Sequence, residues 1–367
     1  MTHRERFYAT IERRSVDRPA TWIGEPVSDS IPGLAAYFGV EDLSGVKAVL
    51  GDDVYHVNVP YRSPVSGHVA AAFDFPKKDS PDYEHRSLTA PGFFEDYHDP
   101  ADVSRFPWPD PRDHIDPAAC RRVVDEQPQD VAVLGLLWAA HFQDACAAFG
   151  METALVTMIE NPAMFDAVIG RILEFYLAAG EIFYENTKGR LDAVLIGNDF
   201  GSQTGLMLSP GLIRDHVFDG TRQLIEQAHS YGVKAIHHSC GAVHSIIGDL
   251  IELGADAIHP MQALAKDMSA ERLAADFGGR VSFCGGLDAQ ELLVHGSPSE
   301  VASRVRELQR LFPTGLIISP SHEAILPDTP PENVAAMFHA ATGAAEGTGT
   351  AARGAQKRGI SRLSGGS

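Results

Sequence analysis

The chain has 367 residues, of which 44% are hydrophobic and 22% are charged, and this composition is typical of a soluble globular protein. The formal net charge of −19 argues against nucleic acid and against an anionic membrane surface as partners. No apolar run reaches the roughly 18 residues of a transmembrane helix, and the N-terminal residues lack the apolar core of a signal peptide.

The pattern of residues 1–115 is irregular. Glu5 to Arg14 is predicted to form a surface helix that ends near Pro19. The stretch that follows is rich in proline, glycine, aspartate and aromatic residues, and it contains a predicted turn and strand within Leu50 to Val59. We interpret residues 1–115 as an N-terminal elaboration of the fold and not as a separate domain.

A regular alternation of strands and helices begins near residue 116. Ser209 and Pro210 are typical of a helix start, and the pattern predicts a helix from there to Tyr231. Ser297 and Glu300 form a capping box at the start of another helix. Six apolar runs are typical of buried strands: Val131–Leu137, Ala193–Ile196, Val233–Ile236, Ala255–Ile258, Val281–Cys284 and Leu316–Ser319.

Strands that alternate with helices indicate a parallel sheet whose two faces are covered. The six runs, together with one or two strands from the first third, predict an α/β fold. The expected architecture is a (β/α)8 TIM barrel, a single domain with an elaborated N-terminal region and a main body over residues 116–341. A doubly wound sheet is the alternative. Residues 342–367 lack periodicity and are predicted to be a disordered tail.

The apolar run Val233 to Ile236 leads directly into two histidines and a cysteine. His238 and Cys240 are two residues apart, so their side chains share one side of an extended chain. An imidazole nitrogen and a thiolate that converge in this way suit Zn²⁺. The alternative is a buried structural cysteine beside a hydrogen-bonded histidine. His237 points the other way and is expected to be packed or to support the ligands from behind.

Other polar residues follow the remaining runs, at the strand ends where parallel α/β folds carry their chemistry. Asp199 is either a ligand-facing carboxylate or an Asx-turn residue. Asp288 either faces the site or caps the helix after it. Cys284 is either a third metal ligand or core filler, and Trp138 belongs either to the core or to the pocket.

Several of these segments, taken in order, resemble the uroporphyrinogen decarboxylase superfamily, which includes zinc-containing, corrinoid-dependent methyltransferases. The resemblance covers most of the chain and is strongest from about residue 190 to residue 341. The segments that carry it are Asn198-Asp-Phe-Gly-Ser-Gln-Thr-Gly, Ser209-Pro, His238-Ser-Cys-Gly, His259-Pro-Met-Gln, Phe283-Cys-Gly-Gly-Leu-Asp288, Ser319-Pro-Ser-His and Pro327-Asp-Thr-Pro-Pro-Glu-Asn333.

Two departures from the decarboxylase pattern favour the methyltransferase branch. The region Asp17 to Gly24 holds one arginine and lacks the arginine-rich motif that meets the substrate carboxylates in true uroporphyrinogen decarboxylases. A tetrapyrrole with eight carboxylates needs more positive charge than that. Those decarboxylases also need no metal, whereas His238-Ser-Cys240 is similar to the zinc pair of the methyltransferases.

The resemblance also implies roles for residues around this pair. A second cysteine in the thiol-methylating relatives is replaced here by His322 and Glu323, so the implied zinc site is His238, Cys240 and His322, with Glu323 as the alternative third ligand. Zinc with fewer thiolates is better suited to polarising an oxygen or nitrogen. Proton transfer is expected of Asp199 or Glu323. The residues expected to bind the substrate at the barrel mouth are Gln203, Gln262, Asp288 and Trp138.

The expected function is a zinc-dependent methyltransferase that moves a methyl group from a small O-methyl or N-methyl substrate to a corrinoid protein. No cobalamin-binding signature is visible, so the corrinoid is expected on a partner protein; a homodimer is left open. The alternatives are a metal-free decarboxylase using Asp199 and His322, a thiol methyltransferase, and a non-catalytic zinc- or ligand-binding barrel. The four scattered cysteines fit the reducing cytoplasm.

Overall fold

The computed structural model describes residues 1–76 and 89–343 and arranges eight parallel strands around one axis. The hydrogen-bonded order is β1-β8-β7-β6-β5-β4-β3-β2, and the backbone N–H of Asp53 donates to the carbonyl oxygen of Thr21 at 3.2 Å across the remaining gap. The strands are β1 Ala20–Thr21, β2 Val54–Asn58, β3 Ala132–Trp138, β4 Ala193–Gly197, β5 Lys234–His238, β6 Ala257–Met261, β7 Ser282–Leu287 and β8 Leu316–Pro320.

Helices surround this nearly closed barrel, which confirms the predicted (β/α)8 architecture and makes the doubly wound alternative wrong. The α-helices are α1 His3–Ile11, α2 Ile31–Phe38, α3 Leu43–Leu50, α4 Pro117–Asp125, α5 His141–Phe149, α6 Met151–Glu160, α7 Pro162–Thr187, α8 Pro210–His216, α9 Phe218–Ser230, α10 His244–Glu252, α11 Ala270–Phe277, α12 Leu292–His295, α13 Pro298–Leu311 and α14 Pro331–Thr342. Within the described ranges, no helix is both long enough and apolar enough to cross a membrane. The predicted tail lies outside the described residues from residue 344 onward.

Two sequence-based expectations about helices were wrong. Helix α1 was expected at the surface, but Phe7 and Ile11 are buried in the same cluster as the inward side chains of the barrel. Because these two residues lie one turn apart on one face, α1 closes the N-terminal end of the barrel. The predicted helix from Ser209 to Tyr231 is two helices, since the buried Val217 leaves the helical conformation at φ −120° and ψ −40°.

The barrel interior is apolar at its N-terminal end and polar at its C-terminal end. The apolar layers include Ala132 and Leu134 of β3, Leu195 of β4 and Ile236 of β5, together with Cys284, which is therefore core filler. Side chains two residues further along a strand point to the same interior. The residues that reach the polar layer in this way are Trp22, His56, His238, His259 and Ser319.

Residues 61–76 and 89–115 pack a large group of aromatic rings against α7. Phe73 lies 4.9 Å from Phe175, and Phe75 lies 4.7 Å from Phe106, measured between ring centroids. These rings belong to the same hydrophobic cluster as the barrel helices. The N-terminal region is thus fixed to the barrel by a continuous apolar core.

Candidate metal centre and active site

The carboxyl ends of β4 and β5 bring three potential metal ligands together. His238 is the last residue of β5, Cys240 follows it, and Asp199 follows the end of β4. His238 Nε2 lies 3.5 Å from Cys240 Sγ and 3.2 Å from Asp199 Oδ1. The backbone N–H of Cys240 donates to Asp199 Oδ1 at 2.8 Å and so orients this carboxylate. The three ligand atoms all lie within 4.8 Å of one another.

The spacing of these atoms fits a tetrahedral zinc ion. Zinc–sulfur bonds of about 2.3 Å and zinc–nitrogen bonds of about 2.0–2.1 Å place tetrahedral nitrogen and sulfur ligands roughly 3.5 Å apart. The distance between His238 Nε2 and Cys240 Sγ is 3.5 Å. A mixed set of imidazole, thiolate and carboxylate is chemically suited to zinc. The residues present therefore fit the metal that the sequence predicts.

A second group of potential ligands meets His238 at its other ring nitrogen. His238 Nδ1 lies 3.0 Å from His259 Nδ1 and 3.9 Å from Glu323 Oε2. The Glu323 side chain is only 14% exposed, and its Oε2 atom has no hydrogen-bond partner within the described part of the chain. A buried carboxylate oxygen without a partner is costly. Glu323 is thus available to a bound cation or to a hydrogen-bond donor on a ligand.

The electrostatics of the cluster favour the metal-binding forms of Cys240 and Asp199, whereas His238 must release a proton before it can bind a metal. Burial opposes charge on all three ligands, but their mutual hydrogen bonds outweigh it. The pKa of His238 is raised well above its usual value by Asp199, Cys240 and Glu323. Hydrogen bonds from His238 and His322 lower the pKa of the Cys240 thiol, and those from His238 and Cys240 lower the pKa of Asp199. The thiolate and the carboxylate are therefore ready for a cation.

His322, the predicted third ligand, lies at the edge of this cluster. Its side chain is 44% exposed, and Nδ1 accepts a hydrogen bond from the backbone N–H of Ala324 at 3.1 Å. Hydrogen bonding to Cys240 raises the pKa of His322. The group of three clustered ligand atoms that includes His238 and Cys240 contains Asp199 and not His322. Zinc ligation by His322, and the proton-transfer roles of Asp199 and Glu323, stay predictions.

Of the predicted substrate-binding residues, Trp138 reaches the cluster. Its ring lies 5.2 Å from that of His238 in an edge-on contact. Trp138 and Ala139 have φ angles of 62° and 49°, positive values that are uncommon for residues other than glycine. Such conformations persist where the surrounding structure enforces them, commonly at functional sites.

The other three predicted substrate-binding residues are tied to the loops around the mouth. Gln262 Oε1 accepts a hydrogen bond from the backbone N–H of Gly241 at 2.5 Å, which holds the loop behind the ligands. Both carboxylate oxygens of Asp288 accept hydrogen bonds from the backbone N–H groups of residues 290–292. Of the two predicted roles of Asp288, this contact matches the capping of the helix that follows. Gln203 is exposed on the loop after β4, where its carbonyl oxygen contacts Lys266. Substrate contact by any of the three stays a prediction.

His237 stacks on Phe200 at 6.3 Å with the rings nearly parallel, on the side of β5 that faces away from the interior. It is fully buried, and burial lowers its pKa to about 3. It packs behind the strand, as the alternation of side chains predicts.

The sequence did not predict a role for Trp22, His56 or His259, which share the polar layer with His238. His56, Trp22, His259 and His238 form a row of rings in contact, with centroid distances of 6.3, 5.3 and 5.1 Å. Within the described residues, Trp22 Nε1, His56 Nδ1, His259 Nε2 and Ser319 Oγ are buried without hydrogen-bond partners. Buried polar atoms are rarely left unpaired, so this layer is suited to hold the polar atoms of a ligand.

Glu25 was also missed, because β1 is too short to give a periodic signal. Burial and the neighbouring Glu323 raise the pKa of Glu25. The backbone N–H of Glu25 donates to the carbonyl oxygen of Glu323 at 2.7 Å. Gly24, at φ +85°, makes this close approach feasible, since a Cβ atom there would lie 2.2 Å from that oxygen. No sequence signal pointed to this contact, because Gly24 lies three residues beyond β1, which the sequence did not predict.

Replacing Gly24 by alanine is expected to destabilise the protein by more than the roughly 1–2 kcal/mol of a left-handed alanine. The added Cβ would also push the Glu323 loop away from the metal ligands. Thermal unfolding followed by circular dichroism measures the loss. Gly39→Ala is the matched control, because Gly39 has a similar φ of +70° with no atom within 4 Å of its Cβ position. Equal melting temperatures for the two variants would contradict the proposed close approach.

A cavity of about 230 Å³ adjoins the cluster on the side of β6, β7 and β8, which is room for a small molecule. It is lined by Gln262, Ala289, Gln290, Ser321, His322, Ala324, Leu326 and Thr329. Since His322 and Gln262 border both the cavity and the loops around the ligands, a small ligand in it would lie beside the proposed metal position.

Potential metal ligands and a small cavity thus lie at the carboxyl ends of the strands, where (β/α)8 barrel enzymes carry their active sites. The chain belongs to the uroporphyrinogen decarboxylase (URO-D) family, whose model matches residues 73–343. No curated protein matched the chain. Among solved structures, a methyltransferase from Methanosarcina mazei superposes with a TM-score of 0.65 at 17% identity, covering 93% of this chain and 98% of that one. A D-psicose 3-epimerase reaches a TM-score of 0.38 at 8% identity over 82% of each chain.

Proposed function

We propose that this protein is a zinc-dependent methyltransferase that moves a methyl group from a small O-methyl or N-methyl substrate to a corrinoid carried by a partner protein. The observation that carries the proposal is the His238, Cys240 and Asp199 set, whose atoms have the spacing of zinc ligands. The methyltransferase from Methanosarcina mazei, with its similar fold, adds support.

The obstacle in this reaction is the leaving group, because an alkoxide or amide anion leaves poorly. Zinc bound to His238, Cys240 and either Asp199 or His322 would supply a Lewis acid that stabilises charge on the departing heteroatom. The chain itself would supply the proton: Glu323 Oε2 is buried, has no hydrogen-bond partner among the described residues and lies 3.9 Å from His238 Nδ1. Glu25, whose pKa is raised by burial and by Glu323, would replenish it.

The surroundings of the site disfavour an anionic methyl donor. Asp199, whose pKa is lowered and whose Oδ1 lies 3.2 Å from His238 Nε2, is a carboxylate that would repel an anionic donor even when Glu323 and the neighbouring Glu25 are protonated. Trp138 covers His238 with an apolar ring and would limit access of water. Neutral methoxy compounds are the first donors to test, since a zinc ion with a single thiolate is a harder Lewis acid than a two-thiolate site. Methylamines and betaines are the second.

Uroporphyrinogen is not expected to be a substrate. Arg18, the single arginine of residues 17–24, donates to Asp53 at 2.6 and 3.1 Å and is therefore engaged in an ion pair. An octa-anionic tetrapyrrole would also be repelled by a protein of net charge −19. Incubation with uroporphyrinogen followed by chromatography of the oxidised products measures this. Coproporphyrinogen formed above the level of a boiled-enzyme control would promote decarboxylation to the leading function.

The methyltransferase proposal is tested with a reduced corrinoid protein and a panel of methoxylated aromatics, methylamines and betaines. We expect at least one donor, most readily a methoxy compound, to methylate the corrinoid, and the absorbance change of the cobalt centre follows the reaction. An identical mixture without the enzyme is the control. A zinc-loaded enzyme that gives no transfer from any donor class would contradict the proposal.

A further inference from the structure

The imidazole of His259, on β6, contacts the proposed zinc ligand His238. The contact is made at Nδ1 of His238, whereas Nε2 of the same ring faces Cys240. His259 Nδ1 lies 3.0 Å from His238 Nδ1, and the ring centroids are 5.1 Å apart. His259 is fully buried. Both residues point into the barrel, two positions beyond the interior residues Ala257 and Ile236 of their strands. The contact is therefore a product of the barrel register, not of a flexible loop.

The direction of this hydrogen bond follows from the metal. Nitrogen atoms 3.0 Å apart share one proton. His238 Nε2 faces Cys240 Sγ at 3.5 Å and Asp199 Oδ1 at 3.2 Å, so Nε2 is the atom that would offer its lone pair to zinc in the proposed site. A neutral imidazole that binds a metal through Nε2 carries its proton on Nδ1. His238 Nδ1–H is then the donor, and His259 Nδ1 is the acceptor.

We propose that His259 is a positioning residue of the zinc site, which accepts the hydrogen bond of His238 Nδ1–H and fixes the tautomer and ring orientation that present Nε2 to the metal. This inference rests on the proposed function, since it gives a partner to one of the zinc ligands. Metal-bound histidines ordinarily donate to a carboxylate, a backbone carbonyl or water. Here Glu323 Oε2, at 3.9 Å, is too far from Nδ1 for a hydrogen bond, and an imidazole takes that place.

Trp22 holds the acceptor ring in place. Its ring centroid lies 5.3 Å from that of His259, tilted by 54°, and the Trp22 side chain is buried. Because His259 contacts Trp22 as well as His238, rotation of its ring would disturb the packing of both neighbours. A fixed acceptor gives His238 one preferred orientation before zinc binds.

The test measures zinc affinity by competition with a chelator. His259→Phe keeps a ring and removes the acceptor, and we expect zinc to bind about 10–100-fold more weakly. His259→Asn places an amide oxygen near the position of Nδ1, and it is expected to recover most of that loss. His237→Phe is the matched control: it alters the neighbouring buried histidine, which stacks on Phe200 outside the cluster, and should leave zinc affinity unchanged.

The absorption spectrum of the cobalt(II)-substituted protein is the second measurement. Loss of a positioning residue should change the band intensities while one metal per chain remains bound. Melting curves of the metal-free variants check that each one folds. Equal zinc affinity for His259→Phe and the wild type would overturn the inference, as would a His259→Asn variant as weak as the phenylalanine variant. If His259→Phe and His259→Asn both bind one metal ion fewer per chain than the wild type, His259 is a metal ligand and not a positioning residue. A wild-type chain that binds no zinc would overturn the proposed function along with this inference.

Discussion

Purified protein is expected to hold close to one zinc ion per chain, and Cys240→Ser and His238→Ala are expected to lose it. Each change removes one of only three or four ligands. The loss of affinity should therefore exceed the roughly 10–100-fold that follows from removing a residue that merely supports a ligand. Elemental analysis after dialysis against a weak chelator measures the zinc content.

Cys284→Ala is the matched control for the cysteine variant. Cys284 is fully buried among the apolar layers of the barrel interior, where burial raises the pKa of its thiol and disfavours the thiolate form that binds metals. Its replacement should leave the zinc content unchanged. Asp199→Asn and His322→Gln, measured in parallel, identify the third ligand by the larger loss. Full zinc occupancy in the Cys240→Ser variant would contradict the assignment of the metal centre.

Removing zinc from the wild-type enzyme is expected to abolish methyl transfer while leaving the barrel folded. A Lewis acid stabilises the charge that develops in the transition state by several kcal/mol, so its removal should slow the reaction more than about 100-fold. The fold should survive, because the apolar layers of the barrel interior lie on the N-terminal side of the polar layer that contains His238. Cobalt absorbance follows the transfer, and circular dichroism follows the fold. An unchanged rate in metal-free enzyme would remove zinc from the mechanism.

The variant Glu323→Gln tests whether Glu323 is the proton donor or a metal ligand. Loss of a general acid typically costs about 10²–10⁴ in rate, so kcat should fall far more than KM rises. Glu226→Gln, on the exposed face of α9, is the control and should retain full activity. If Glu323→Gln instead loses zinc, the residue is a ligand and the proton must come from elsewhere in the site.

The sequence predicted the strands that are long enough to show a period. The runs at Ala193, Val233 and Leu316 each fall within a residue or two of an observed strand. The strand Ala20–Thr21 was missed because two residues cannot show alternation, and with it the contacts of Trp22 and Glu25 were missed. Helix α1 was misjudged because its mean composition is polar, although Phe7 and Ile11 seal the barrel.

What the sequence by itself determined is the local part of the site: the parallel α/β architecture and the shared side of His238 and Cys240. Both follow from repeating patterns of two residues in a strand and about 3.6 in a helix. Only the tertiary structure decided that Asp199, His259 and Glu323 meet His238, and that Asp288 turns to its own helix. Those contacts join different strands, so they depend on the barrel register and on packing, which no local pattern encodes.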